Sequence, residues 1–132
     1  MHIDHIGIAV SNLDEAIRTY EKILNKKLSM TERVESEKVE TAFFETGESK
    51  VELLGPTEPD SVIQKFVDKK GEGIHHVAFE VEDIRAEMKR LQDEGFTLLN
   101  EQPKLGADNK LVAFLHPKGN HGVLVELCQS QS

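Results

Sequence analysis

From its start the chain alternates bulky apolar positions with small or polar ones. Ile6, Ile8 and Val10 stand on one parity, and His5, Gly7 and Ala9 on the other. A period of two marks a strand whose faces differ. The alternation returns 71 residues later, where Val77, Phe79 and Val81 oppose His76, Ala78 and Glu80. After each strand the apolar spacing becomes helical: Leu13, Ile17, Tyr20 and Leu24 in the first copy, Ile84, Met88 and Leu91 in the second. Ser11 or Asn12 can cap the first helix and Asp83 the second, since a short polar side chain accepts from the unpaired N–H groups of a first turn. Gly95 is a natural stop for the second.

Strand patterns then follow in both copies. They cover Leu28 to Glu35, Lys38 to Thr46 and Lys50 to Leu54, and later Thr97 to Asn100, Lys110 to Leu115 and Val123 to Cys128. The closing strands Val51-Glu52-Leu53-Leu54 and Val125-Glu126-Leu127-Cys128 correspond at an offset of 74, so the second copy carries three extra residues, assigned to the loop from Pro103 to Asn109. Between the copies, Val62, Ile63, Phe66 and Val67 predict a short amphipathic linker helix within Asp60 to Lys70, ended by Gly71. The predicted fold is α+β: two tandem βαβββ modules in one domain over 1–132. Module one is about 1–56, the linker helix about 57–72 and module two about 73–129, by the repeat and its stop signals. Gln129 to Ser132 reads as a loose tail.

Charge and cysteine count narrow the chemistry. A net charge of −8 excludes sequence-independent nucleic-acid binding, which needs a net basic face, but leaves an anionic small molecule open. A single cysteine, Cys128, excludes an internal disulfide and a cysteine-based zinc site, so any metal must take imidazole and carboxylate. The apolar run Ile6 to Val10 is too short for a leader or a membrane span, and a cytoplasmic location is the expectation.

Parity then singles out four residues. His5 and His76 fall on the faces with small neighbours, Glu52 opposes Val51 and Leu53, and Glu126 opposes Val125 and Leu127. A lone His or Glu on a strand is usually structural or solvated. Here the same types recur on corresponding strands of both copies, which favours one shared divalent ion. Cobalt, nickel, manganese and zinc all accept nitrogen and oxygen donors together. Four such ligands in an octahedral sphere leave two positions for water or a chelating substrate. His75 lies on the other parity and reads as a packing residue. Cys128 shares the face of Glu126 with nothing to activate its thiol and also reads as packing.

The segments Ile3 to Val10, Gly73 to Phe79, Glu101 to Gly106, Phe114 to Lys118 and Gly122 to Leu127 resemble the vicinal oxygen chelate superfamily, and within it the methylmalonyl-CoA epimerase family. The resemblance covers nearly the whole chain. The turn His116-Pro117-Lys118 departs from the acidic turn common in glyoxalase-like members. The resemblance implies metal ligands at His5, His76 and Glu126, with a Gln or Glu at the position of Glu52. It also implies a catalytic Glu at Glu40, in Lys38-Val39-Glu40-Thr41-Ala42-Phe43, where Ala42 and Phe44 would wall a concave surface. Glu126 is the second proposed acid–base group. The implied activity is metal-dependent epimerisation at C2 of methylmalonyl-CoA, with cobalt the leading ion and a homodimer the expected assembly. Lys50, Lys104, Lys110 and Lys118 are candidates for the coenzyme A phosphates. Rival readings are a glyoxalase-type lactoylglutathione lyase, a thiol-transfer resistance enzyme and a metal-free drug-binding resistance protein.

Overall fold

The computed structural model describes residues 1–131. Its elements run β1 (His2–Ala9), α1 (Leu13–Leu24), β2 (Met30–Val34), β3 (Val39–Thr46), β4 (Ser49–Pro56), α2 (Val62–Lys70), β5 (Gly73–Glu80), α3 (Ile84–Asp93), β6 (Lys104–Leu105), β7 (Lys110–Leu115) and β8 (Val125–Ser130). The order β-α-β-β-β occurs twice, which bears out the α+β reading. Among the described residues no helix is long and apolar enough to cross a membrane. The chain divides into two compact units, one of Ile6–His75 and one of Met1–His5 with the chain from His76 onward.

In the unit Ile6–His75, β2, β3 and β4 form an antiparallel ladder in which Ala42 faces Leu53 and Phe43 faces Glu52. Ala42, Phe44 and Leu53 are buried under the apolar stripe of α1, with Leu13, Ala16, Ile17 and Tyr20, and with Ile8 from β1. The other face carries Ala9, Val39 and Leu54, against Ile63, Phe66 and Val67 of α2. Asn12, not Ser11, caps α1: its Oδ1 accepts the Glu15 N–H at 3.0 Å. A cap contributes about 1 kcal/mol, whereas each buried aliphatic or aromatic side chain contributes about 1.5–3 kcal/mol. The stripe, more than the cap, therefore holds α1 in place. Ser61 caps α2, and Gly71 ends it at φ 83°.

In the other unit β8 runs parallel to β5 and antiparallel to β7, and β6 closes the order β5-β8-β7-β6. Ile84 and Met88 of α3 pack on Val81, Ala113 and Leu127. The opposite face gathers Ala78, Val112, Cys128 and Phe114. Asp83 caps α3 as expected, accepting the Ala86 N–H at 3.1 Å, and Gly95 follows the helix at φ 99°.

Two expectations fail here. Thr97 to Asn100 forms no strand beyond an isolated bridge between Leu98 and Leu115. The Asn100 side-chain oxygen accepts the Phe114 N–H at 2.9 Å, a donor that a ladder carbonyl would otherwise take, and pairing stops there. The short β6 lies further along. Nor is Gln129-Ser130 a loose tail. Gln129 Oε1 accepts the Ile84 N–H at 2.8 Å, and β8 runs to Ser130. Gln131 Nε2 lies 3.4 Å from Asn109 Oδ1, and Ser132 is outside the described residues.

Close packing of α1 on β4 makes a testable demand at Gly55. A Cβ there would lie 2.9 Å from Leu13 Cβ, an atom fixed to the helix backbone. Gly55→Ala should cost about 1–3 kcal/mol, as overpacking does, read as a lower urea midpoint with native helix content retained. An unchanged midpoint would mean that α1 moves aside freely.

Candidate metal centre

Three of the four expected ligands come together inside the second unit. His5 from β1, His76 from β5 and Glu126 from β8 are buried, at 5%, 6% and 5% exposure. Register explains the grouping: Ala78 and Phe114 both stand opposite Glu126, so β5 and β7 present His76 and Phe114 on the face of that carboxylate. His5 Nε2 lies 3.0 Å from His76 Nε2 and 3.7 Å from Glu126 Oε2, and His76 Nε2 lies 3.3 Å from Glu126 Oε1. The His76 ring stands edge-on to His5, with centroids 5.1 Å apart, and to Phe114, at 6.2 Å.

Two imidazole nitrogens and a carboxylate suit a borderline divalent ion. With bonds of ~2.1 Å, neighbouring ligand atoms sit ~3.0 Å apart around an octahedral ion and ~3.4 Å apart around a tetrahedral one. The separations of 3.0, 3.3 and 3.7 Å span those values with little adjustment needed. The residues fit such an ion.

A residue that sequence reasoning did not single out supports this group. Asp4 is 5% exposed, and its Oδ2 lies 2.7 Å from His5 Nδ1. Strand alternation puts neighbouring residues on opposite faces, which hides such a pairing; the adjacency of an Asp to a candidate ligand His was the available signal. Asp4 Oδ1 accepts from Lys110 Nζ at 2.7 Å. Lys110, expected among exposed lysines, is instead 8% exposed and ion-paired, which removes it from the candidates for coenzyme A phosphates. Burial pulls its pKa down, but the hydrogen bond and charge of Asp4 and the charge of Glu80 outweigh that, and it ends above the ordinary lysine value. Cys128 is buried beside Glu80 and Phe79; burial, then the charges of Asp4 and Glu126, push its thiol up. It is a packing group, as expected.

The remaining candidates belong to the unit Ile6–His75. Glu52 is 5% exposed on β4, opposite Phe43, on the face away from α1. Glu40 is half-buried on β3 opposite Gly55, with Arg33 Nη2 3.8 Å from its carboxylate. The concave wall expected from Ala42 and Phe44 is corrected: both pack under α1, and alternation puts Glu40 on their face rather than on that of Glu52. His75 packs edge-on against Phe66 at 4.9 Å, and burial, then the charge of Lys70, lower its pKa. Lys104 and Lys118 are exposed and Lys50 is half-buried.

Residues 4–114 match the family model described as the glyoxalase/bleomycin resistance protein/dioxygenase superfamily. The chain belongs to this superfamily. Its similarity to named members runs nearly end to end. It is 40% identical over 129 residues to the mitochondrial methylmalonyl-CoA epimerase of Homo sapiens, covering 97% of this chain and 73% of that one. To the ethylmalonyl-CoA/methylmalonyl-CoA epimerase of Cereibacter sphaeroides it is 39% identical, covering 96% of each. Among solved structures, a Streptomyces coelicolor methylmalonyl-CoA epimerase variant in complex with 2-nitronate-propionyl-CoA superposes with a TM-score of 0.95. That pair shares 37% identity, over 100% of this chain and 96% of the other.

The polar groups around Lys110 predict a pH dependence of stability. Burial alone would raise the Glu80 pKa. Hydrogen bonds from the Ser130 hydroxyl and N–H and from Cys128, with the charge of Lys110, outweigh it and hold Glu80 below the ordinary value of 4.5. A pKa depressed by folding contributes stability above the unfolded value, lost as pH falls through the folded one. Between pH 7 and pH 3, the urea midpoint of the wild type should therefore fall further than that of Glu80→Gln, the difference opening below about 4.5. Parallel curves would show that Glu80 is not held ionised by its neighbours.

Proposed function

We propose that this chain is a metal-dependent methylmalonyl-CoA epimerase, interconverting the (2R) and (2S) forms by removing and returning the C2 proton. The observation that carries this is the convergence of His5, His76 and Glu126, whose ligand atoms lie within 4.8 Å of one another, in a chain so widely similar to named epimerases. Glu52, a buried carboxyl group, is the proposed fourth ligand. The ion is one divalent metal, cobalt first, with nickel, manganese and zinc as alternatives. Once bound, it supplies a Lewis acid that stabilises negative charge beside C2.

Without such stabilisation a proton between a thioester and a carboxylate is too weakly acidic for a side-chain carboxylate to remove. His5 and His76 are neutral nitrogen donors in this scheme, so they leave proton transfer to carboxylates. Inverting one carbon takes a group on each side of the plane, one removing the proton and one returning it. Glu126 and Glu40 are the proposed pair. Glu126 has two oxygens, so one can act as ligand while the other stands near the reacting carbon. Glu40 rests on the family resemblance alone, since its side chain stands on the α1 face of β3, opposite to that of Glu52. Lys50, Lys104 and Lys118 remain the candidates for coenzyme A phosphates, and the proposed working form is a cytoplasmic homodimer.

Protein stripped of metal and reloaded with cobalt should incorporate deuterium at C2 of methylmalonyl-CoA in heavy water, with loss of stereochemical purity; stripped protein should not. No exchange with cobalt, nickel, manganese or zinc would sink the proposal. Glu40→Gln should still bind cobalt but lose epimerisation by ~100-fold or more. Activity near wild type would remove Glu40 from the mechanism.

A further inference from the structure

On the side of His5 away from Nε2 runs a series of polar groups drawn from four strands, buried at Asp4 and Lys110 and exposed at Ser130. Asp4 Oδ2 meets His5 Nδ1 at 2.7 Å, and Asp4 Oδ1 meets Lys110 Nζ at 2.7 Å. Lys110 Nζ lies 3.4 Å from Glu80 Oε2, and Glu80 Oε1 accepts from the Ser130 hydroxyl at 2.6 Å and the Ser130 N–H at 3.0 Å. The side chains of Asp4 and Lys110 are only 7% and 10% exposed.

Taking a carboxylate and an ammonium out of water costs several kcal/mol per ion, and apolar residues of similar volume often serve a fold as well or better. Folding stability therefore gives this pair no strong rationale. Its geometry gives another. A carboxylate only accepts, and Asp4 lies against Lys110, so the contact with His5 requires a proton on Nδ1. In the neutral ring that leaves the Nε2 lone pair facing His76 and Glu126. Asp4 could turn about its own bonds, but Lys110 holds the oxygen that His5 does not use.

We infer that Asp4 and Lys110 are positioning residues for the metal centre: Lys110 orients the Asp4 carboxylate, and Asp4 fixes His5 as the Nδ1–H tautomer with Nε2 presented as ligand. The metal half of this inference rests on the proposed function; the tautomer half does not. Partners of this kind, removed from a metal-binding His, weaken metal affinity by about 10–100-fold.

Four variants test it: Asp4→Asn, Lys110→Met, Lys110→Arg and the double variant of Asp4→Asn with Lys110→Met. The double leaves no charge of the pair buried alone, so it is the one to rely on if Lys110→Met fails to fold. Cobalt affinity is read by competition with a chelator, together with the visible cobalt bands. Nitrogen NMR of the metal-free protein reads the His5 tautomer. Wild type should show His5 protonated at Nδ1. The double variant should show a mixture and bind cobalt ~10–100-fold more weakly. It should be no weaker than Asp4→Asn alone, because Lys110 acts through Asp4. Lys110→Arg should recover part of the affinity lost in Lys110→Met.

Cobalt binding by the double variant within twofold of wild type, with unchanged bands, would overturn the inference. So would a wild-type His5 protonated at Nε2. If wild type takes up no cobalt while His5 is protonated at Nδ1 and changes tautomer in the variants, the proposed metal fails and the positioning of His5 by Asp4 stands.

Discussion

Two buried imidazole nitrogens 3.0 Å apart set the constraint on which the rest of this structure depends. Both cannot point a proton at the other; one ring is held by Asp4, and the other stands edge-on to Phe114. The arrangement is stable if at least one nitrogen is bare and the space they share with Glu126 takes something electron-poor. A proton shared between the rings satisfies it minimally; a divalent ion satisfies all three groups at once. The site is therefore organised around an electron-pair acceptor, whatever activity is built on it.

Strand alternation makes that organisation affordable. In the unit from His76 onward, α3 covers Ala113 and Leu127 while Ala78, Val112 and Cys128 line the other face. In the unit Ile6–His75, α1 covers Ala42, Phe44 and Leu53. The helix-facing sides supply much of the apolar burial that offsets chain entropy. The opposite side of the unit from His76 onward carries the polar groups, beside the small Ala78 and the aromatic Phe114. His76 and Glu126 meet each other and His5 there.

Much of this was legible in the sequence, because period and repetition are local. The alternation around His5 and His76 identified their faces, and the match between Glu52 and Glu126 identified the closing strands. What escaped were pairings that cross between strands. Asp4 was not singled out, and its partner Lys110 lies 106 residues away. Lys110 looked like an ordinary surface lysine, since nothing local distinguishes a buried ammonium from a solvated one. Glu40 was read correctly as sharing a face with Ala42 and Phe44, but which face α1 would cover is a tertiary fact. The strand at Thr97 was lost to one side-chain hydrogen bond from Asn100, and the tail gained order through Gln129 and Ser130.

The repeat also conceals an asymmetry. Seventy-one residues after Asp4 stands His75, so the residue preceding the candidate ligand is a carboxylate in one copy and an imidazole in the other. Asp4 turns to its neighbour's Nδ1, while His75 packs against Phe66 and is pushed by burial toward its neutral form. A carboxylate behind an imidazole raises its basicity, because it stabilises positive charge developing on the ring. The two nitrogen donors are thus matched in position, but the residue that precedes each differs, Asp4 before His5 and His75 before His76. The repeat sets two like side chains face to face, while the residues before them take different partners, Asp4 the His5 ring and His75 the Phe66 ring.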